Sequence, residues 1–224
     1  MPTFTDIVNR IIETTGRSDK SSTIQGRVTD SLLEIQRLHN HYFAEQLSTT
    51  PIVVDQQDYA VPTDFKDIKN LYLQSSDGTW GRDPLPKLTM EFAREKYNAD
   101  DTGDPEGYTV YRSAIFVWPP KPKDDTKKLL LEYWKFLAAI SGTSTNELTI
   151  TWPDLVEAWA TWKFYAKLPA AEEQAKFWQA MAFAQQMELV KYTNDQRLKT
   201  KTVMPIRTSP RERDRSRFLP FGGR

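Results

Sequence analysis

Thr151-Trp152-Pro153-Asp154-Leu155-Val156-Glu157-Ala158 opens a helix after a long stretch patterned as strands, and that return to helix decides the fold. Pro in a first turn lacks only an N–H that a helix start cannot use, and the acid beside it meets the positive end of the helix dipole. Downstream, Leu155, Trp159, Trp162 and Ala166 share one face. After Pro169 a longer helix is predicted over residues 170–198, with Trp178, Met181, Gln185, Leu189 and Tyr192 on one side.

A matching pair of helices stands at the N-terminal end. Phe4, Ile7, Val8, Ile11 and Ile12 fall at helical spacing, and Thr3 with Asp6 forms a capping-box pattern, so a helix is predicted over 4–15 with Gly16 as its stop. A second capping-box pattern, Ser22-Thr23-Ile24-Gln25, precedes the stripe Ile24, Val28, Leu32, Ile35, Leu38 and Tyr42, which predicts a helix reaching about residue 46. The two are expected to pack as a hairpin.

Between the helix pairs the period changes. Ile52-Val53-Val54, Tyr59-Ala60-Val61-Pro62 and the set Ile68, Leu71, Leu73 read as strands, and Asp77-Gly78 before Trp80 reads as a turn. Further strands are predicted at 108–111, 114–118 and 129–136, with a short helix over 89–97. Pro119, Pro120 and Pro122 lack the N–H that a central ladder needs, so they close a strand. The fold class is therefore α+β, mainly α: a helical bundle built from helix pairs 1–47 and 151–198, an antiparallel β region inserted at 48–150, and an extended arm at 199–224. Terminal helix pairs can bury their stripes against each other, which makes insertion the economical arrangement.

The arm differs in composition from everything before it. Residues 199–224 carry eight Lys or Arg against two acids, show no periodicity, and end Phe218-Leu219-Pro220-Phe221-Gly222-Gly223-Arg224. The whole chain has 30 residues of each sign, so residues 1–198 keep 22 basic against 28 acidic. An acidic body thus carries a basic arm. Such a segment buries too little apolar surface to offset the entropy of ordering, and is expected to order only against a partner, above all another protein chain.

Composition closes off several function classes. The chain has no Cys, which removes disulfides, thiolate nucleophiles and Cys-based zinc sites. No apolar run approaches the roughly 20 residues that cross a bilayer, and residues 1–16 lack a charged start followed by an apolar stretch, so a soluble cytoplasmic product with no membrane partner is expected. Zero formal net charge speaks against phosphate binding by the body as a whole.

A search for chemistry returns surface features. His39 and His41 stand two apart, which on a helix turns them to different faces, so they read as polar surface residues and not as joint metal ligands. Asp100-Asp101-Thr102-Gly103-Asp104 lacks the remaining ligands of a calcium loop and reads as a solvated turn. Glu172-Glu173 beside Lys176 reads as an exposed helix face. Neither a Gly-rich phosphate cradle nor a nucleophile elbow occurs. The aromatic set Trp152, Trp159, Trp162, Tyr165 and Trp178 reads as core packing before base stacking, because its spacing matches one buried face. No catalytic residue, metal or cofactor is expected.

Three landmarks recur in a set order. They are Tyr59-Ala60-Val61-Pro62-Thr63-Asp64-Phe65; then Gly103-Asp104-Pro105-Glu106-Gly107-Tyr108 leading to Ile115-Phe116-Val117-Trp118-Pro119-Pro120-Lys121-Pro122 and Leu129-Leu130-Leu131-Glu132-Tyr133; then Trp152-Pro153-Asp154-Leu155-Val156-Glu157-Ala158. Their order, with flanking helix pairs and a trailing arm, resembles the head-to-tail adaptor, or connector, family of tailed bacteriophages over about residues 4–198.

The resemblance implies a structural virion protein and no enzyme. It implies a ring of identical copies, commonly dodecameric, seated beneath the portal protein at the neck of the virion, assembled in the host cytoplasm. Such a ring extends the channel through which double-stranded DNA passes without sequence specificity, and it docks a tail or nozzle protein. The resemblance also implies a C-terminal arm along the portal. By position on that arm, Arg207, Arg211, Arg213, Arg215 and Arg217 are expected as electrostatic contacts, and Phe218, Leu219 and Phe221 as apolar anchors. An acidic body would suit a channel wall that repels phosphates. Two other classes stay open at this point: a nucleic-acid-binding module whose basic arm tracks phosphates, and a carbohydrate-binding or hydrolytic tail protein using exposed Trp.

Overall fold

A computed structural model of the chain describes residues 1–79, 81 and 83–201, the side chains of 199–201 excepted. Helix α1, Phe4–Thr15, starts as its sequence dictates. Thr3 Oγ1 accepts from Asp6 N–H at 3.1 Å, and Asp6 Oδ2 accepts from Thr3 N–H at 2.8 Å, completing the capping box. Gly16 ends the helix at φ +65°, a left-handed conformation open to a residue without Cβ. Phe4, Ile7, Val8 and Ile11 are its buried face. Thr3→Ala leaves the Asp6 N–H without its acceptor and should cost about 1 kcal/mol, lowering the thermal midpoint by about 2–4 °C in calorimetry.

Helix α2, Ser21–Leu38, follows a single 3-10 turn at Ser18–Lys20 and buries Ile24, Val28, Leu32 and Ile35 as expected. Two expectations for it fail. Its N-cap is Lys20, with no side-chain cap bond, so the Ser22 capping box does not form. The helix also stops at Leu38, with Tyr42 in a separate 3-10 turn, Tyr42–Ala44. The cause is tertiary: the Lys66 ammonium, arriving from a strand, donates to Gln36 O and to His39 O (2.6 Å), taking carbonyls at the helix end.

Strand β1 is Glu45–Pro51, β2 Asp58–Ala60 and β3 Phe65–Gln74; helix α3, Met90–Lys96, is capped by Thr89; β4 is Thr102–Gly103, β5 Gly107–Tyr111, β6 Ala114–Trp118, β7 Lys121–Pro122 and β8 Lys128–Lys135. They form a three-stranded sheet of order β1-β8-β3, a three-stranded sheet of order β2-β6-β5, both antiparallel, and a parallel two-residue pair β4-β7. Central β8 begins with Leu129-Leu130-Leu131, three consecutive buried residues ahead of Glu132, which fits a strand covered on both faces there. Ile68, Leu71, Leu129, Leu131 and Tyr133 from the first sheet meet Tyr59, Tyr108, Ile115 and Val117 from the second in one apolar cluster.

The expected strand at Ile52-Val53-Val54 is displaced. Pairing with β8 instead takes the polar run Glu45–Pro51, in register Glu45 to Trp134 through Pro51 to Lys128. Ile52 then drops into the apolar cluster while Val53 and Val54 are exposed. An edge strand needs backbone pairing more than an apolar face, so β1 carries little hydropathy signal.

Helix returns with α4, Glu147–Thr151, capped by Asn146, then α5, Pro153–Tyr165, and α6, Glu172–Lys201. Helix α5 is the centre of the helical core, burying Leu155, Val156, Trp159, Ala160 and Phe164 against α1, α2 and α6. The face of α6 meets expectation in part, since Leu189 is buried and Trp178 packs against the core as expected. Ala182, Gln186, Leu189 and Thr193 are buried, whereas Met181 and Tyr192 are exposed. Small and polar residues let α6 approach, and hydropathy alone favours the larger side chains. Helix covers 45% of the described residues and strand 22%, so the protein is a mixed α and β fold with helix the larger share and small antiparallel sheets.

Candidate functional site

The first two landmark segments meet in space, and the third enters the separate helical core. Asp64 Oδ1 accepts from Tyr133 Oη at 3.0 Å, Phe65 stacks on the Tyr133 ring, and Asp64 O accepts from Phe136 N at 2.7 Å. Burial, followed by this carboxylate, pushes the Tyr133 phenol up to about 12, so it stays a donor. Gly107 sits where a Cβ would come 2.8 Å from Leu88 Cδ1 and 3.1 Å from Pro86 O, a close approach that any other residue could take only by displacing Leu88 and the Pro86 carbonyl. Glu106 takes the Tyr97 hydroxyl at 2.9 Å, and its N–H donates to Trp118 O at 2.7 Å. Trp152 ends α4 and precedes α5, packing beside Tyr192, while Asp154 lies 3.5 Å from Arg10. The landmarks are joints of the scaffold.

The expected chemistry sites resolve in the same terms. Asp100 pairs with Lys121 and Asp104 with Lys127, which fits a solvated turn. Glu172 and Glu173 are exposed. Trp159 is buried in the helical core, and Trp152, Trp162, Tyr165 and Trp178 pack against it, in keeping with the core reading of the aromatics. Among the described residues there is no group of three or more His, Asp or Glu placed to hold a metal, and no helix is long and apolar enough to cross a membrane.

Arg207, Arg211, Arg213, Arg215, Arg217, Phe218, Leu219 and Phe221 lie outside the described residues, as does Trp80. Two surfaces involving α6, the helix that precedes the arm in sequence, are described. The outer side of α6 exposes Phe177 (60%), Met181 (39%) and Met187 (68%). At the far end of α6, a cleft of about 520 Å³ opens between the end of α2, the start of β3 and the last turns of α6.

The cleft brings together residues far apart in sequence. Arg197 Nη2 donates to Asn40 O at 2.7 Å, its Nε lies 3.4 Å from Glu45 Oε1, and its guanidinium sits 5.1 Å over the Trp134 ring. Burial pushes the Lys66 ammonium below its usual range, with the Asp67 carboxylate opposing. His41 was expected on a helix surface; it is instead 2% exposed, beyond the helix end and stacked on Phe43. Desolvation drives its imidazole down to about 4, against the opposing bond to Ile35 O, so it is neutral at pH 7. Sequence reasoning missed this cleft, because its residues come from three elements and share no motif; the pair His39 and His41 was the only visible sign.

No curated protein matches the chain. The model of the SU10 adaptor protein family matches residues 2–209, which takes in every described element and passes into the basic arm. With the landmarks serving as joints of the fold and a match of that extent, the chain belongs to the SU10 adaptor protein family, in keeping with its resemblance to the head-to-tail adaptors of tailed bacteriophages.

Proposed function

We propose that the protein closes into a ring under the portal of a filled capsid, lengthens the DNA channel at the virion neck and offers a docking surface to a tail or nozzle protein. The observation that carries this reading is the family match across residues 2–209. On this reading the mechanism is mechanical, and no bond is made or broken. Helix pairs 1–47 and 151–198 act as one bundle, 48–150 as an inserted β domain whose first strand already begins at Glu45, and 199–224, the first three residues of which complete α6, as the arm that runs along the portal.

Two features support it. The apolar stripe on the outer side of α6 is a surface that a second copy would cover, and identical contacts repeated by rotation close into a ring. The arm concentrates eight basic residues against two acids beyond an acidic body, with Phe218, Leu219 and Phe221 as apolar anchors, a composition suited to strapping onto another protein.

The test mixes the purified chain with the portal of its own phage and images the product by cryo-electron microscopy, beside a chain truncated after Lys201. The intact chain should form a ring on the portal. The truncated chain should unfold at the same temperature and attach at least about tenfold more weakly. Full-strength attachment without the arm would remove residues 202–224 from the portal contact. Salt-sensitive DNA binding with no portal association would replace the adaptor reading by a nucleic-acid-binding one.

A further inference from the structure

We propose that the cleft between the end of α2, the start of β3 and the last turns of α6 binds an Asp or Glu residue of a partner protein segment, taking its carboxylate and its backbone N–H together. The proposal begins with charge. Arg37, Lys66 and Arg197 line the cleft against the single acid Asp67, in a body that otherwise carries more acids than bases. The Arg37 guanidinium makes no hydrogen bond or ion pair among the described residues.

The second observation is a pair of buried polar atoms in the cleft lining. Thr193 is 3% exposed and its Oγ1 has no partner among the described residues; His41 Nδ1 is likewise without one. Buried polar groups in native proteins are paired with few exceptions, and each exception calls for a reason. His41 Nε2 lies 3.3 Å from Ile35 O, which places the ring proton on Nε2 and leaves Nδ1 an acceptor. The cleft therefore asks for two things at once. Arg37 and the Thr193 hydroxyl offer donors to an anion, and His41 Nδ1 requires a donor in return.

That combination selects the ligand class. An acidic residue within a peptide supplies acceptor oxygens and an N–H a few bonds apart. A phosphodiester supplies acceptors only, and so cannot give His41 Nδ1 the donor it requires. The neutrality of His41 at pH 7 fits an acceptor role. The site is independent of how many copies assemble, and it lies beside the point where α6 leads into the arm.

The test is an NMR titration of the full chain, following the His41 ring and the Thr193 and Asn194 amides. The probes are the blocked peptide acetyl-Gly-Asp-Gly-amide, its Asn counterpart, sodium phosphate and a short DNA duplex. The Asp peptide should shift these resonances with millimolar affinity. Arg37→Gln, a change at an exposed side chain free of ion pairs, should weaken that binding about tenfold and leave the rest of the spectrum in place. Thr193→Val should weaken it as well. Equal binding of the Asn peptide, equal or stronger shifts from phosphate or DNA, unchanged affinity in Arg37→Gln, or no shifts up to about 20 mM Asp peptide would each overturn the proposal.

Discussion

Trp159→Ala is expected to remove about 3–5 kcal/mol of stability, a large part of what a single domain holds. Trp159 is 1% exposed at the middle of α5, the helix that touches α1, α2 and α6. Its ring meets Trp162 edge-on at 5.2 Å and Phe183 at 5.8 Å, so truncation removes packing from two helices and leaves a cavity that neither can collapse to fill. Trp159→Phe separates volume from chemistry. The indole Nε1 is buried with no partner among the described residues, so Phe loses some volume but also relieves an unsatisfied donor, and should cost less than about 2 kcal/mol. Phe177→Ala, on the exposed side of α6, should stay within about 0.5 kcal/mol in the isolated chain. Guanidinium unfolding of the three variants checks the order. A Trp159→Ala loss below about 1 kcal/mol would mean that α5 is not the centre of the core.

The contrast between those positions also shows what the sequence could tell. Helix α1 was legible to the residue, because a capping box, an apolar face and a stop glycine are all local, and each is satisfied within the helix. The start of α5 was legible for the same reason. Helix α2 was not: its stripe continues in sequence to Tyr42, but Lys66, 28 residues beyond Leu38, claims the carbonyls at its end. Strand β1 was displaced because its position depends on pairing with β8, a contact between segments about eighty residues apart that hydropathy cannot see.

The surfaces follow the same division. That the aromatics of α5 belong to the core was readable from spacing, whereas on α6 Met181 and Tyr192 were expected on the buried side, which is instead completed by Ala182, Gln186 and Thr193 beside Leu189. Those four residues form a face of low hydropathy, so periodicity does not single it out, and large apolar side chains are left on the outer side among exposed charges. The cleft was invisible in sequence, since Arg37, Lys66 and Arg197 come together only through the tertiary fold.

Acid should destabilise the protein through His41. Burial, with the charges of Lys66 from β3, of His39 beside it and of Arg197 from α6, holds the native imidazole near 4, against 6.5 for an unperturbed histidine. Because the native pKa is the lower one, the unfolded chain binds the proton first as pH falls. Stability is therefore unaffected by this group above about pH 6.5, declines between about 6.5 and 4, and levels off below that. A difference of this size corresponds to about 3 kcal/mol over the window. His41→Gln keeps a polar group in the site but cannot take the proton, so it should be less stable than the parent at pH 7.5 and lose that much less on going to pH 4. Urea unfolding of both proteins at half-unit steps isolates the effect, because the carboxylates that titrate in the same range, Glu157 among them, are common to both. Parallel curves would show that His41 is charged or solvated in the native state, and would withdraw the acceptor that the cleft is argued to present.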